Sequence, residues 1–174
     1  MKAILKDLQR ILDAVPDERT EEFVLAIRKA RRVFLYGVGR SGLVARMFGM
    51  RLVHLGRDST IVGDTTTPAI RARDLLVVCS RTGQSPILHH AVDLAHNEKA
   101  KAACVVGMRD TPLARECDLV VRLPLESAKG EKDQPMGSLF EQALLLYLDH
   151  VVLRLMAALQ KTEEDMERVH SNLP

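Results

Sequence analysis

Two stretches decide the fold. The first is Val33-Phe34-Leu35-Tyr36-Gly37-Val38-Gly39-Arg40-Ser41-Gly42. The second is Leu75-Leu76-Val77-Val78-Cys79-Ser80-Arg81-Thr82-Gly83-Gln84-Ser85-Pro86. Each is an apolar, β-rich run that breaks into glycine or hydroxyl residues and then passes into a helical pattern. The run Leu75–Cys79 does not alternate, as expected of a parallel strand buried on both faces. Pro86 suits the first turn of a helix, and Ser85 is placed to cap it. Moving outward, residues 41–55 have helical spacing and 59–62 are strand-like. Residues 103–106 and 118–123 read as two further strands, separated by a short helix near Pro112. Upstream, Ile4, Leu5, Leu8, Ile11, Leu12 and Val15 recur at helical spacing until Pro16 ends the run, and a second helix is expected over 20–30. Downstream come a loop rich in Pro, Gly and charge over 124–137, a long helix over 139–159, and a polar helical tail.

Five short strands alternating with helices make an α/β fold with a five-stranded parallel sheet sandwiched by helices. Right-handed crossovers limit the topologies, and the flavodoxin-like order 2-1-3-4-5 is expected. The chain then reverses direction between strands 1 and 3. Ligands of such sheets bind at that switch point, at the carboxyl ends of the strands. The loops after Tyr36 and Cys79 should therefore lie side by side.

The composition narrows the function classes. The chain has 174 residues, about one domain's worth, and 47% hydrophobic with 28% charged residues is a globular composition. A net charge of +2 disfavours a generic nucleic-acid binder. Only 3% of residues are aromatic and none is Trp, which disfavours a stacking platform. Residues 1–87 hold 15 basic and 9 acidic side chains, and residues 88–174 hold 10 and 14. An anionic ligand is better received by the first half. The first 15 residues are amphipathic and charged throughout, unlike a signal peptide. No charge-free apolar stretch is long enough to suggest a membrane span. Cys79, Cys104 and Cys117 are odd in number and widely spaced, so neither a zinc knuckle nor a disulfide framework is expected. Cys79 and Cys104 read as small core residues, and a reducing cytoplasm is the expected setting. His89, His90 and His96 lack the spacing of metal ligands on one helix face.

The loop Gly37–Gly42 matches GxGxxG between a strand and a helix. The dinucleotide reading also wants an acidic residue at the end of the second strand. Asp58 lies ahead of that strand, and Asp64 comes 27 residues after Gly37. A tight turn without a ligand is the plain alternative. The loop Ser80–Ser85 offers three hydroxyls, a glycine and a helix N-terminus, which suit a phosphate. A cap alone explains Ser85 but leaves Ser80 and Thr82 idle. The meeting of both loops at one switch point is a more specific signal than either loop alone.

The pairing of GVGRSG with SRTGQS resembles the sugar isomerase (SIS) domain, a phosphosugar-binding fold. Residues 37–56, 62–70, 134–149 and 167–174 extend the resemblance, over nearly the whole chain, to the 6-phospho-3-hexuloisomerase family. That family usually reads SGSGET in the second loop. Here Ser80, Thr82 and Ser85 keep the hydroxyls, Arg81 replaces a glycine and Gln84 replaces an acid. The resemblance implies one SIS unit over 1–174, with an N-terminal helical extension and a C-terminal helical tail. It implies an isomerase of the ribulose monophosphate pathway that interconverts D-arabino-hex-3-ulose 6-phosphate and fructose 6-phosphate through a cis-enediol. That chemistry moves a carbonyl between C3 and C2 and needs no metal and no redox cofactor. The implied partners are a phosphorylated ketohexose and other copies of the chain, commonly as a homotetramer with sites near subunit contacts. Neither nucleic acid nor membrane is among them.

Glu141 is the leading catalytic candidate. Ser138-Leu139-Phe140-Glu141 also has the form of a capping box, and the two roles compete for one carboxylate. The resemblance makes Glu141 the base. His54 shares a helix face with Leu43, Met47 and Met50. It reads as a core or interface histidine, or as the group that opens the sugar ring or moves protons. Gly39, Arg40, Ser41, Ser80, Thr82, Gly83 and Ser85 are the expected substrate and phosphate ligands. Arg40 would hold sugar oxygens or neutralise the enediolate, and Arg81 adds a further cation near the phosphate. Arg51 reads as a solvated or interface charge, and Thr66 and Thr67 as pocket residues. Residues 139–159 are apolar nearly all round, which suggests burial against another subunit. The rival reading is a non-catalytic SIS module that senses a sugar phosphate. It would keep both loops without needing Glu141 or His54.

Overall fold

The computed structural model describes residues 1–128 and 134–173. Two helices come first, α1 (Lys2–Asp13) and α2 (Asp17–Lys29). Helix α2 starts earlier than expected. Pro16 takes the N-cap in an extended conformation, and Asp17 and Glu18 complement the positive end of the helix. There follow β1 (Val33–Gly37), α3 (Gly39–His54), β2 (Ser59–Ile61), β3 (Leu75–Ser80) and α4 (Pro86–Asn97). Next are β4 (Lys101–Val106), α5 (Pro112–Glu116) and β5 (Leu119–Arg122). Then come α6 (Ser138–Leu159) and α7 (Glu163–Glu167). Of the expected loop over 124–137, Leu125–Ser127 and Pro135–Gly137 form single 3₁₀ turns, and 129–133 lie outside the described residues.

The strands pair in parallel in the order β2-β1-β3-β4-β5, as expected. The uniform apolar run of β3 divides between two cores, because alternate side chains point to opposite faces. Leu75, Val77 and Cys79 join Val33 and Leu35 beneath α1, α2, α3 and α6. Leu76 and Val78 join Phe34, Cys104 and Val106 beneath α4 and α5. Cys79 and Cys104 are core residues, and burial pushes the Cys79 thiol up to about 12. Asp74, fully buried ahead of β3, accepts two hydrogen bonds from Arg31 at 2.9 and 2.8 Å and one from the Arg71 backbone at 2.8 Å. Those bonds tie the entrance of the central strand to the entrance of β1.

The expectation that α6 needs another subunit for its burial is corrected. Helices α1, α2 and α3 pack on it, and Leu144, Tyr147, Leu148, Val151 and Leu155 are buried within the single chain. By length and composition α6 could cross a bilayer, but here the larger core is assembled around it. Exposed apolar residues remain on α3 and along the outer side of α6. Leu43, Met47 and Met50 on α3 are 62%, 47% and 51% exposed, and Leu153 at the outer edge of α6 is 63% exposed.

Candidate active site

Strand register brings the loops together. Gly37 lies opposite Cys79, and Ser80 opposite Val106. The segments after β1, β3 and β4 therefore leave the sheet at the same edge, on either side of the switch point. The turn after β1 closes on itself. A Cβ on Gly42 would stand 2.3 Å from the Gly37 carbonyl oxygen, so glycine is required there for packing. That explains the glycine spacing of the first loop without a dinucleotide. Helix α3 starts at Gly39, two residues earlier than the pattern suggested, so Arg40 and Ser41 belong to its first turn and Ser41 is buried.

In the second loop, Gly83 takes a left-handed conformation, φ +61°, and donates its N–H to Ser80 Oγ at 3.0 Å. Ser85 occupies the N-cap position of α4, as expected, but its side chain makes no capping hydrogen bond. The capping role assigned to Ser85 is thus corrected, and its hydroxyl is free of the helix end.

Helix α6 enters the same edge from the other side of the chain. Its first turn does not carry the capping box that the sequence suggested. The N-cap is Gly137 in a left-handed conformation, and Ser138 Oγ donates to the Pro135 carbonyl at 2.8 Å. Released from capping, Glu141 accepts a hydrogen bond from Arg40 Nε at 2.5 Å. The carboxylate is 12% exposed and the arginine 66% exposed. Leading base candidate and first loop thus meet within one chain.

Arg81 takes a route the sequence did not disclose. Its backbone carbonyl accepts the N–H groups of Gly107 and Met108 at 3.1 and 3.0 Å. Its side chain passes Gly107 and reaches Gly137, where a Cβ would stand 2.7 Å from Arg81 Cδ and Nε. Arg81 therefore links the hydroxyl loop to the first turn of the helix that bears Glu141.

His54 is not part of this gathering. It ends α3, 14 residues beyond Arg40, which is about 20 Å along the helix axis at ~1.5 Å per residue. It is 6% exposed, with its ring 5.1 Å from that of His170. The two histidines line a cleft of about 570 Å³ together with Arg51, Asp149, Met156 and Glu167. Burial first, then the positive potential of His170 and Arg51, lowers the His54 pKa. Thr67 is a loop fastener, donating to the Ile61 and Asp64 carbonyls at 2.7 Å each, and Thr66 is exposed.

The arrangement places a hydroxyl-bearing turn at the N-terminus of α4 and, at the same edge of the sheet, a mostly buried carboxylate with an arginine partner. These are the parts for binding a phosphorylated small molecule and moving a proton on it.

The family model described as SIS domain matches residues 26–148. The chain is 34% identical over 176 residues to the 3-hexulose-6-phosphate isomerase of Bacillus subtilis, covering 98% of this chain and 95% of that protein. It is 36% identical over 160 residues to the protein of the same name from Methanocaldococcus jannaschii, covering 89% and 84%. A crystal structure from Methanococcus jannaschii superposes with a TM-score of 0.90 at 30% identity, covering 99% and 98% of the two chains. Its description infers a function of 3-hexulose-6-phosphate isomerase. With the family model covering most of the chain, including both loops and Glu141, this protein belongs to the SIS domain family.

Proposed function

We propose that the protein is a 3-hexulose-6-phosphate isomerase. It interconverts D-arabino-hex-3-ulose 6-phosphate and fructose 6-phosphate through a cis-enediol. The observation that carries this reading is the contact between Glu141 and Arg40 at the edge that holds Ser80–Ser85. The full-length relatives of that name support it. Ser80, Thr82 and Ser85 hold the phosphate with Gly83 at the turn, while Gly39, Arg40 and Ser41 face the sugar end. Glu141 takes the proton from C2 of the hex-3-ulose and returns one to C3. Arg40 neutralises the charge that builds on the enediolate oxygens. A sensing module would have no use for a carboxylate in this position.

The full reading treats residues 1–174 as one SIS unit, with α1 and α2 as its extension and the segment around α7 as its tail. It includes a cytoplasmic setting and a homotetramer. The exposed apolar stripe of α3 is the natural contact surface, and His54 on the same helix would then serve a neighbouring subunit's substrate. Incubating the protein with fructose 6-phosphate in heavy water tests the chemistry. A C2–C3 enediol puts deuterium on C3. Label on C1 alone, or no exchange and no hexulose phosphate formed, would remove the proposal.

A further inference from the structure

A phosphate loop must also keep its own oxygens away from the phosphate. Gly83 is the residue where this problem arises. Its left-handed conformation sends the N–H to Ser80 Oγ, and its carbonyl oxygen must go elsewhere. A carbonyl turned into the cradle would repel a phosphate. The structure gives that oxygen a dedicated partner. His89, in the first turn of α4, places Nε2 2.9 Å from the Gly83 oxygen, and its Nδ1 lies 2.6 Å from Glu116 Oε2 on α5.

The donor inventory makes this pair more than a chance contact. A carbonyl oxygen and an ionised carboxylate oxygen both only accept. The Gly83 oxygen needs a hydrogen from Nε2, and the Glu116 carboxylate on the other ring nitrogen fixes the plane in which Nε2 faces that oxygen. The third wall of the bracket is Thr111, whose Cβ stands where a Gly83 side chain would begin, at 2.7 Å. Thr111 is itself fixed as the N-cap of α5, accepting the Ala114 N–H at 3.2 Å. Helix α5 thus contributes two residues, Thr111 and Glu116, to one bend of the loop.

We propose that His89, oriented by Glu116, is a positioning residue for phosphate binding: it holds the Gly83 carbonyl out of the cradle and fixes the bend that aims Ser80, Thr82 and Ser85 at the phosphate. The proposal rests on the reading of Ser80–Ser85 as the phosphate loop. Glu116 acts only through His89, and neither touches substrate.

The test uses the full chain, with inorganic phosphate as the calorimetric probe and fructose 6-phosphate as the substrate. Replacing His89 by Phe keeps a ring and removes both bonds; Glu116→Gln keeps the shape and removes the charge that orients the ring. His89→Phe should weaken phosphate affinity and raise KM by about tenfold or more, the scale of a lost charge-assisted bond, with kcat changed by no more than about twofold. Glu116→Gln should move the same quantities in the same direction by less. The double variant should be no worse than His89→Phe alone, because the two residues act in series. Parental phosphate affinity in His89→Phe, additive losses in the double variant, or a fall in kcat with KM unchanged would each overturn the proposal. If His89→Phe does not fold, Glu116→Gln at its partly exposed site decides alone, and parental KM there overturns it. A parental protein that binds neither phosphate nor fructose 6-phosphate would instead remove the phosphate-loop reading, and this proposal with it.

Discussion

Arg40 Nε donates to Glu141 Oε2 at 2.5 Å, joining residues 101 positions apart. The contact spans the first turns of α3 and α6 at the carboxyl edge of the sheet. It also separates two roles that compete in the sequence. A carboxylate engaged with Arg40 is not closing its own helix end, and Ser138 is turned away from capping as well.

A Glu141→Gln variant separates these roles by experiment. Glutamine keeps the size and loses the proton acceptor. Turnover should fall by roughly 10²–10⁴, the usual contribution of a general base, with KM little changed. The melting temperature should hardly move, since no cap is lost and the glutamine oxygen can still accept from Arg40, whose guanidinium remains in contact with water. Parental turnover would end the assignment of Glu141 as base. A large loss of melting temperature with turnover kept per folded molecule would make it structural.

The hydroxyl loop yields the second prediction. Ser80→Ala and Thr82→Ala should each weaken binding of fructose 6-phosphate, by roughly 1.5–3 kcal/mol per contact to a charged group. Ser80→Ala should cost more, because Ser80 Oγ also accepts the Gly83 N–H within the loop. Calorimetry on the single and double variants measures both effects. Equal affinity in the double variant and the parent would place the phosphate elsewhere.

Assembly supplies the third. Leu43, Met47 and Met50 on α3 remain exposed in the single chain, while Leu148 on α6 is 1% exposed. Met47→Glu should therefore leave a folded protein that sediments as a smaller species. Leu148→Glu should fail to fold, because an unpaired charge cannot be buried cheaply. A parental chain that sediments as a monomer at micromolar concentration would refute the shared contact surface.

The sheet was legible because its strands are short apolar runs that end in glycine or hydroxyl residues, and right-handed crossovers leave few ways to order them. Element ends were less legible. The start of α2 at Asp17 rests on Pro16 adopting an extended N-cap, which a hydrophobic pattern does not disclose. The burial of α6 is hidden for a related reason: periodicity shows that a helix is covered on most sides, but not that α1 and α2 do the covering. At the site, the two loops could be read from composition and spacing. The partners of Glu141 and the path of Arg81 could not. S-x-x-E is a local signal, and the residue that overrides it, Arg40, lies on another helix. Arg81 reads as one more cation until Gly107 and Gly137 are seen to leave a channel for its side chain. His89 had no usable signal, since its role depends on Glu116 being folded beside it.

His54 carries the last prediction, in which stability and activity part company. Burial, His170 and Arg51 together hold its pKa below the ordinary histidine value of about 6.5. The folded chain therefore favours the neutral ring, and the unfolded chain binds the extra proton first as pH falls. Stability attached to this site is present above about pH 6.5 and is lost as pH drops through the lower folded value. The parental melting temperature should decline from about pH 7.5 to about pH 5 more steeply than that of His54→Gln, which has no proton to gain there. At the upper pH the two should melt alike. If His54 also serves a neighbouring subunit's substrate, His54→Gln at that pH should lose turnover while melting normally, and the Met47→Glu species should lose it too. Identical slopes for parent and variant would refute the linkage. Full turnover in His54→Gln would leave His54 as a histidine that only packs against His170.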